Sequence, residues 1–140
     1  MSILEYPHDS LRTPTRVCTK NDIKQLRVVY SKMKKQLKES EGLGLAANQI
    51  GENLSLIIVG DTPLVNPTFF SKSKKMVVSN EACLSIPNTF VEIKRAKWVW
   101  ITYDDLNFVS KHNIRFSGRL SACAQHEMDH LKGKLIIDYV

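Results

Sequence analysis

Two histidines and a glutamate stand close together in the segment CAQHEMDHLKG, residues 123–133. His126 and His130 are four residues apart, and Glu127 directly follows the first histidine. Because an α-helix has about 3.6 residues per turn, both imidazoles would lie on one face, where they could bind one metal ion. Glu127, about 100° round the helix, would lean over that ion without ligating it. The spacing indicates a metal-assisted hydrolase, but it leaves open an ordinary helix with two surface histidines and a chance glutamate.

A catalytic metal site usually has three protein ligands and a free position for water. Cys123 is on the same helix, but it precedes His130 by about 10 Å along the helix axis, so one ion would strain to reach both. We expect Cys123 to be a small apolar residue packed beside the site. Cys83 is the better candidate, because it lies in the compact segment SNEACLSIPN between predicted strands. An ordinary buried thiol is the alternative for Cys83, and Cys18 is expected to be structural.

The elements that must position these residues follow from the apolar spacing. Apolar residues recur every three or four positions over residues 21–40, which predicts an amphipathic helix with Asn21 as its N-cap. A second helix is predicted over residues 117–132, with Gly133 at its C-terminal end. Strands are predicted between the helices, at residues 54–59, 76–79, 89–93, 97–103 and 113–116. This order predicts an α+β fold, with a mostly antiparallel sheet around the second, metal-binding helix.

Length and composition limit the class of protein. A chain of 140 residues, 43% of them apolar, is predicted to form a single domain over residues 1–140. Its apolar runs are shorter than the roughly 20 residues of a membrane span, and the N-terminal segment lacks the features of a secretory signal. Three cysteines, an odd number, favour a reducing compartment such as the cytoplasm. The net charge is +6, and lysines cluster at residues 32–38 and 72–75. Aromatic residues do not alternate with these lysine clusters, so we expect no specific nucleic-acid partner and no membrane partner.

Three motifs in order resemble those of the peptide deformylase family: GLGLAANQ at residues 42–49, EACLS at 81–85 and QHEMDHLKG at 125–133. The likeness continues into KLIIDY and, more loosely, covers LRTPTRVC and the first helix. The resemblance implies one divalent metal ion, held by Cys83, His126 and His130 with water as the fourth ligand. Ferrous iron would be the native ion, and zinc, nickel or cobalt could occupy the site. The implied reaction removes the formyl group from the N-formylmethionine of new polypeptides and releases formate.

The resemblance also implies roles for residues around the metal. Glu127 would move a proton from water to the leaving amine, and Gln49 with the backbone N–H of Leu84 would stabilise the oxyanion. The positions that match the family's peptide cleft and methionine pocket are Leu43, Gly44, Ala82, Ala122, Cys123 and His126. From the residues alone, the glycines of the first motif indicate a loop, and the residues of a phosphate-binding loop do not follow them.

Three positions depart from the family pattern, and each bears on substrate preference. Ala82 stands where the second motif has glycine, Phe90 where many bacterial members have arginine, and Arg119 where an apolar residue is common. The sequence also stops at Val140, before the C-terminal helix through which many bacterial members contact the ribosome, as in short forms carried by bacteriophages. We expect a monomer that acts on nascent peptides in the cytoplasm, which would be the host cytoplasm for a phage protein. Any ribosome contact would then depend on the lysine clusters.

Two other functions stay open on sequence grounds. A zinc-dependent HExxH peptidase is the enzymatic alternative, although the thiolate ligand and the missing downstream His or Glu speak against it. A non-catalytic domain with a structural metal is the other alternative, although such sites tend to have four protein ligands. Charged residues near the motifs, at Glu81, Arg95 and Asp129, are candidates for orienting the metal ligands.

Overall fold

The computed structural model describes residues 2–140, which contain two α-helices and seven strands joined by loops and short 3₁₀ turns. The helices are α1 (Ile23–Ser40) and α2 (Arg119–Leu131). The strands are β1 (Gly44–Ala46), β2 (Leu56–Val59), β3 (Thr62–Lys72), β4 (Met76–Cys83), β5 (Ile86–Ala96), β6 (Trp98–Asp104) and β7 (Lys111–Ser117). Antiparallel pairing joins five strands in the order β1-β2-β3-β6-β7, and β4 and β5 form a separate hairpin. The predicted α+β fold with mostly antiparallel pairing is confirmed.

Helix α1 is confirmed, but its N-terminal cap differs from the prediction. A 3₁₀ turn at Lys20–Asp22 leads into the helix, and Thr19 rather than Asn21 caps that turn. The Thr19 side chain accepts a hydrogen bond from the Asn21 N–H, and Asp22 accepts one from the Thr19 N–H at 2.8 Å. This reciprocal arrangement needs a hydroxyl three residues before a carboxylate, which Asn21 cannot provide. The expectation that Asn21 is the N-cap is therefore wrong.

Strand β2 lies in the middle of the molecule, which explains its uninterrupted apolar sequence. All four of its residues are buried. Leu56 and Ile58 pack in the cluster that contains the apolar face of α1, whereas Ile57 and Val59 pack in the cluster that contains α2. Because side chains alternate along a strand, both faces of this strand must be apolar.

Helix α2 is fixed on the end of β5 by buried polar side chains. Ser121 donates to the Ala96 carbonyl at 2.8 Å, and the Gln125 amide both donates to that carbonyl and accepts from the Ala96 N–H, each at 3.0 Å. Gly133, with φ of +76°, follows the helix and lies against the Arg12 backbone, where a side chain would not fit. The helix is thereby held between the five-stranded sheet and the hairpin. Within residues 2–140, no helix has the length and apolar character to cross a membrane.

Candidate active site

Three side chains with metal-binding atoms converge between the β4–β5 hairpin and α2. The ligand atoms of Cys83, His126 and His130 all lie within 4.8 Å of one another. The Cys83 sulfur is 3.3 Å from Nε2 of His130, and the two imidazole rings are 5.1 Å apart. One sulfur and two ring nitrogens at this separation suit a single divalent ion such as iron or zinc. The donor set therefore fits the metal that the sequence predicts.

Cys83 reaches the site from a different position than the sequence suggested. It is the last residue of β4, not part of a loop, and only Leu84 and Ser85 separate it from β5. The pairing of the hairpin shifts between Ala82 and Cys83. The expected loop position is therefore wrong, because β4 continues beyond residue 79 to the tip of the hairpin.

A carboxylate orients the first histidine. Nδ1 of His126 is 2.9 Å from Oε1 of Glu81, which leaves Nε2 of the ring for the metal site. Arg95 donates two hydrogen bonds of 2.8 Å to Glu81 and one of 2.8 Å to Asp129. Burial alone would favour the neutral form of Glu81, but the hydrogen bonds from Arg95 and His126 outweigh it and lower the pKa to about 2. Glu81 is thus a carboxylate that holds the imidazole in one orientation.

The two histidines differ in their affinity for protons. Burial, together with the neighbouring His126, lowers the pKa of His130 well below its ordinary value, so the ring stays neutral and can offer one nitrogen to a metal ion. Burial also opposes protonation of His126, but the charge of Glu127 and hydrogen bonds to Cys83 and Glu81 outweigh it and raise the pKa to about 10. A divalent cation at the three ligand atoms would oppose this protonation by charge repulsion.

Glu127 follows His126 on α2 and lines the cleft, but it is almost completely buried. Only 5% of the residue is exposed, and within residues 2–140 its Oε1 has no hydrogen-bond partner. Burial raises the pKa of Glu127 to about 7, although the charge of His126 acts in the opposite direction. A carboxyl group with a pKa near neutrality can accept a proton and release it again. The buried carboxyl group thus fits the role in proton transfer that the sequence predicts for Glu127.

Gln49 and Leu84 approach the same site from two loops. Gln49 belongs to the 3₁₀ turn Ala47–Ile50 that follows β1, and its Oε1 accepts the Ala46 N–H at 2.9 Å. This bond directs the amide nitrogen towards the hairpin, 3.1 Å from the Ser85 hydroxyl and 3.8 Å from the Cys83 sulfur. Leu84 lies in the tight turn after Cys83 and lines the cleft. Both donors that the sequence suggested for an oxyanion are therefore next to the metal ligands.

A cleft of about 620 Å³ opens onto these residues. All the peptide-contacting positions implied by the sequence line it: Leu43, Gly44, Ala82, Ala122, Cys123 and His126. Sequence reasoning missed other lining residues, namely Val77, Val78, Ser79 and Asn80 of β4. Alternation could not reveal them, because residues from both faces of β4 line the cleft, which runs along the edge of the strand.

Two strand edges without a partner border the cleft. Among residues 2–140, strand β1 pairs only with β2, and β4 pairs only with β5. Gly44 allows β1 to lie close to α2, because a Cβ atom there would be 2.5 Å from the Cys123 sulfur and 2.8 Å from the Ile58 carbonyl oxygen. Free N–H and C=O groups along such edges can pair with an extended peptide.

The chain is similar to known proteins along its whole length. The model of the polypeptide deformylase family matches residues 1–140. A peptide deformylase of Borreliella burgdorferi is 39% identical, over 99% of this chain and 87% of that protein. A structure of a probable peptide deformylase from Synechococcus phage S-SSM7 is 30% identical, covers 100% of this chain and 99% of its own, and superposes with a TM-score of 0.91.

A solved structure with a bound peptide has the same fold. It is a class I type b peptide deformylase from Acinetobacter baumannii with Met-Ala-Ser bound, 25% identical, with a TM-score of 0.94 over 100% of this chain and 98% of that chain. The sequence motifs, the convergent Cys83, His126 and His130, and these similarities agree. The chain belongs to the peptide deformylase family of metal-dependent hydrolases, which remove N-formyl groups from new peptides.

Proposed function

We propose that the chain hydrolyses the formamide of N-formylmethionyl peptides at the site formed by Cys83, His126, His130 and Glu127. One observation carries this proposal: buried Glu127, whose Oε1 has no hydrogen-bond partner among residues 2–140, lines the same cleft as Cys83 and His126, two of the three convergent ligands. A metal that only stabilises the fold has no use for such a carboxylate and tends to have four protein ligands.

Cys83, His126 and His130 are the proposed metal ligands. A divalent ion bound by them would make a water molecule more acidic and polarise the formyl carbonyl. A thiolate ligand favours soft and borderline ions. We propose ferrous iron as the native ion, with zinc, nickel and cobalt able to take its place.

Glu127 is the proposed proton carrier. Its carboxylate accepts a proton from water as the formyl carbon is attacked, and it passes that proton to the amine nitrogen as the carbon–nitrogen bond breaks. The products are formate and a free amino terminus. Gln49, through its side-chain amide, and Leu84, through its backbone N–H, donate hydrogen bonds to the oxygen that gains negative charge.

The peptide is proposed to bind as an added strand between the edges of β1 and β4. Pairing with backbone groups fixes the substrate without reference to its sequence. The methionine side chain then lies against Leu43, Ala122 and Cys123, with Gly44 and Ala82 beside the peptide backbone. Compared with glycine, the methyl group of Ala82 narrows this part of the cleft.

Formate release from formyl-Met-Ala-Ser tests the proposal. Anaerobically prepared protein should release formate, and Glu127→Gln should lower kcat by about 10²–10⁴-fold while metal content is unchanged. Glu92→Gln, an exposed change on β5, is the matched control. Equal rates for the wild type and Glu127→Gln would contradict the role of Glu127. Cleavage of internal bonds in unformylated peptides, without formate release, would favour the HExxH peptidase instead.

The proposal extends to the cellular setting of the protein. We propose that residues 1–140 are one catalytic domain that acts as a monomer on nascent chains in the cytoplasm. The two lysine clusters, at residues 32–38 and 72–75, are proposed to contact the ribosome. Co-sedimentation with ribosomes that weakens as salt rises would support this contact.

A further inference from the structure

Arg119, the first residue of α2, is an exposed cation that lines the cleft. Among residues 2–140, its guanidinium has no hydrogen bond, ion pair or aromatic contact. The first turn of α2 contains no acidic residue, and Asp61, which follows the Gly60 backbone beside Leu120, does not pair with it either. The cleft therefore presents a positive charge without a partner.

The remaining charges of the cleft cannot neutralise Arg119. The acidic residues that line the cleft are Glu81 and Glu127. Glu81 is held by Arg95 and His126, and Glu127 is buried eight residues further along α2. The guanidinium is therefore open to water and to a molecule that enters the cleft.

The position of Arg119 indicates which part of a bound peptide it would meet. It precedes Cys123, in the proposed methionine pocket, by one helical turn, or about 5 to 6 Å along the axis. In an extended peptide, alternate side chains point the same way, and residues two apart are about 6.6 Å from each other. A peptide with its formyl group at the metal ligands and its chain running towards the first turn of α2 would have its third residue on the same side as methionine, at about the distance of Arg119.

We propose that Arg119 is a specificity-determining residue that favours formylmethionyl peptides with a carboxylate on their third residue. This inference rests on the proposed deformylase function and on the strand-like binding of the peptide. A guanidinium can donate two parallel hydrogen bonds to one carboxylate. Because Arg119 is exposed, water and salt weaken the pair, and we expect a preference of about fivefold, not of orders of magnitude.

Three amidated peptides, which lack a terminal carboxylate, test the inference: formyl-Met-Ala-Glu-amide, formyl-Met-Ala-Gln-amide and formyl-Met-Ala-Lys-amide. At low salt, the metal-loaded wild type should show a kcat/KM about fivefold higher for glutamate than for glutamine, and lowest for lysine. Arg119→Leu should bring the glutamate-to-glutamine ratio to about one, and Arg119→Lys should retain part of it. Arg115→Leu is the matched control, because it removes an exposed arginine of β7 that does not line the cleft.

Several outcomes would overturn the inference. Equal kcat/KM for the glutamate and glutamine peptides in the wild type would do so, as would a preference that persists in Arg119→Leu or disappears equally in Arg115→Leu. Preference for glutamate at the second residue alone, in formyl-Met-Glu-Ala-amide, would also contradict it. If no peptide is deformylated, the proposed function itself fails. Calorimetric binding of Met-Ala-Glu-amide and Met-Ala-Gln-amide then decides the role of Arg119, and equal affinities would overturn it.

Discussion

At the scale of single residues, the spacing of His126, Glu127 and His130 in the sequence anticipates their geometry well. Residues four apart on one helix must lie near each other, so their spacing is enough to place the two imidazoles side by side. The partner of His126 could not be placed in this way. Glu81 is 45 residues away in sequence, and only the packing of the hairpin on α2 brings its carboxylate to 2.9 Å. Local spacing predicts ligands on one element, whereas residues that orient them from another element require the tertiary fold.

Replacing Glu81 with Gln should weaken metal binding by about 10–100-fold, because the His126 ring loses the carboxylate that orients it. Competition with a chromophoric chelator measures this change. Glu92→Gln, on the exposed side of the same hairpin, should bind the metal as the wild type does. Glu81→Gln also removes the negative charge that pairs with buried Arg95. Circular dichroism must therefore show that the variant is folded. An unchanged metal affinity in a folded variant would exclude Glu81 as an orienting residue.

At the scale of elements, both predicted helices and the five predicted strands are confirmed. Strand β1 was missed, because the glycines of the first motif indicated only a loop, and so was β3. Its sequence, TPLVNPTFFSK, contains two prolines, which normally argue against a strand in the middle of a sheet. The structure accommodates Pro63 near the start of the strand and Pro67 within a shift of register between Val65 and Thr68. Such irregular pairing depends on the neighbouring β6, so apolar alternation within β3 could not predict it.

Strand β1 offers a test of how closely the elements must approach at the cleft. Gly44→Ala would place a methyl group too close to the Cys123 sulfur and the Ile58 carbonyl oxygen. We expect a loss of formate release and destabilisation by about 1–3 kcal/mol, typical of overpacking. Thermal and urea unfolding measure the second effect.

Gly42→Ala is the control for stability. Its nearest neighbours would be the ends of the flexible Leu37 and Leu84 side chains, at 3.1 and 3.2 Å, so its melting temperature should change less than that of Gly44→Ala. Similar melting temperatures for Gly44→Ala and the wild type would mean that β1 can move away from α2.

At the scale of the whole molecule, the proposed ligands join two parts of the fold. Cys83 belongs to the β4–β5 hairpin, whereas His126 and His130 belong to α2, which packs on the larger sheet. Because an ion bound by all three holds these parts together only in the folded state, its binding free energy adds to stability.

Removal of the metal with a chelator should lower the melting temperature, and an equimolar divalent ion should restore it. At a free metal concentration 100 times Kd, the expected contribution is about 2.7 kcal/mol. Differential scanning calorimetry with and without chelator measures this difference. His130→Ala, which lacks one ligand, should lose most of it. If the wild type melts at the same temperature with and without its metal, and the metal content of both samples is verified, a site that links the hairpin to α2 is contradicted.

The division of the ligands between hairpin and helix also has a consequence for folding kinetics. Cys83 and His130 are 47 residues apart in sequence, so the three ligand atoms meet only after the hairpin has docked on α2. Contacts that form after the transition state change the rate of unfolding and leave the rate of folding nearly untouched. If the hairpin docks on α2 after the transition state, the bound ion slows unfolding and changes the rate of folding little.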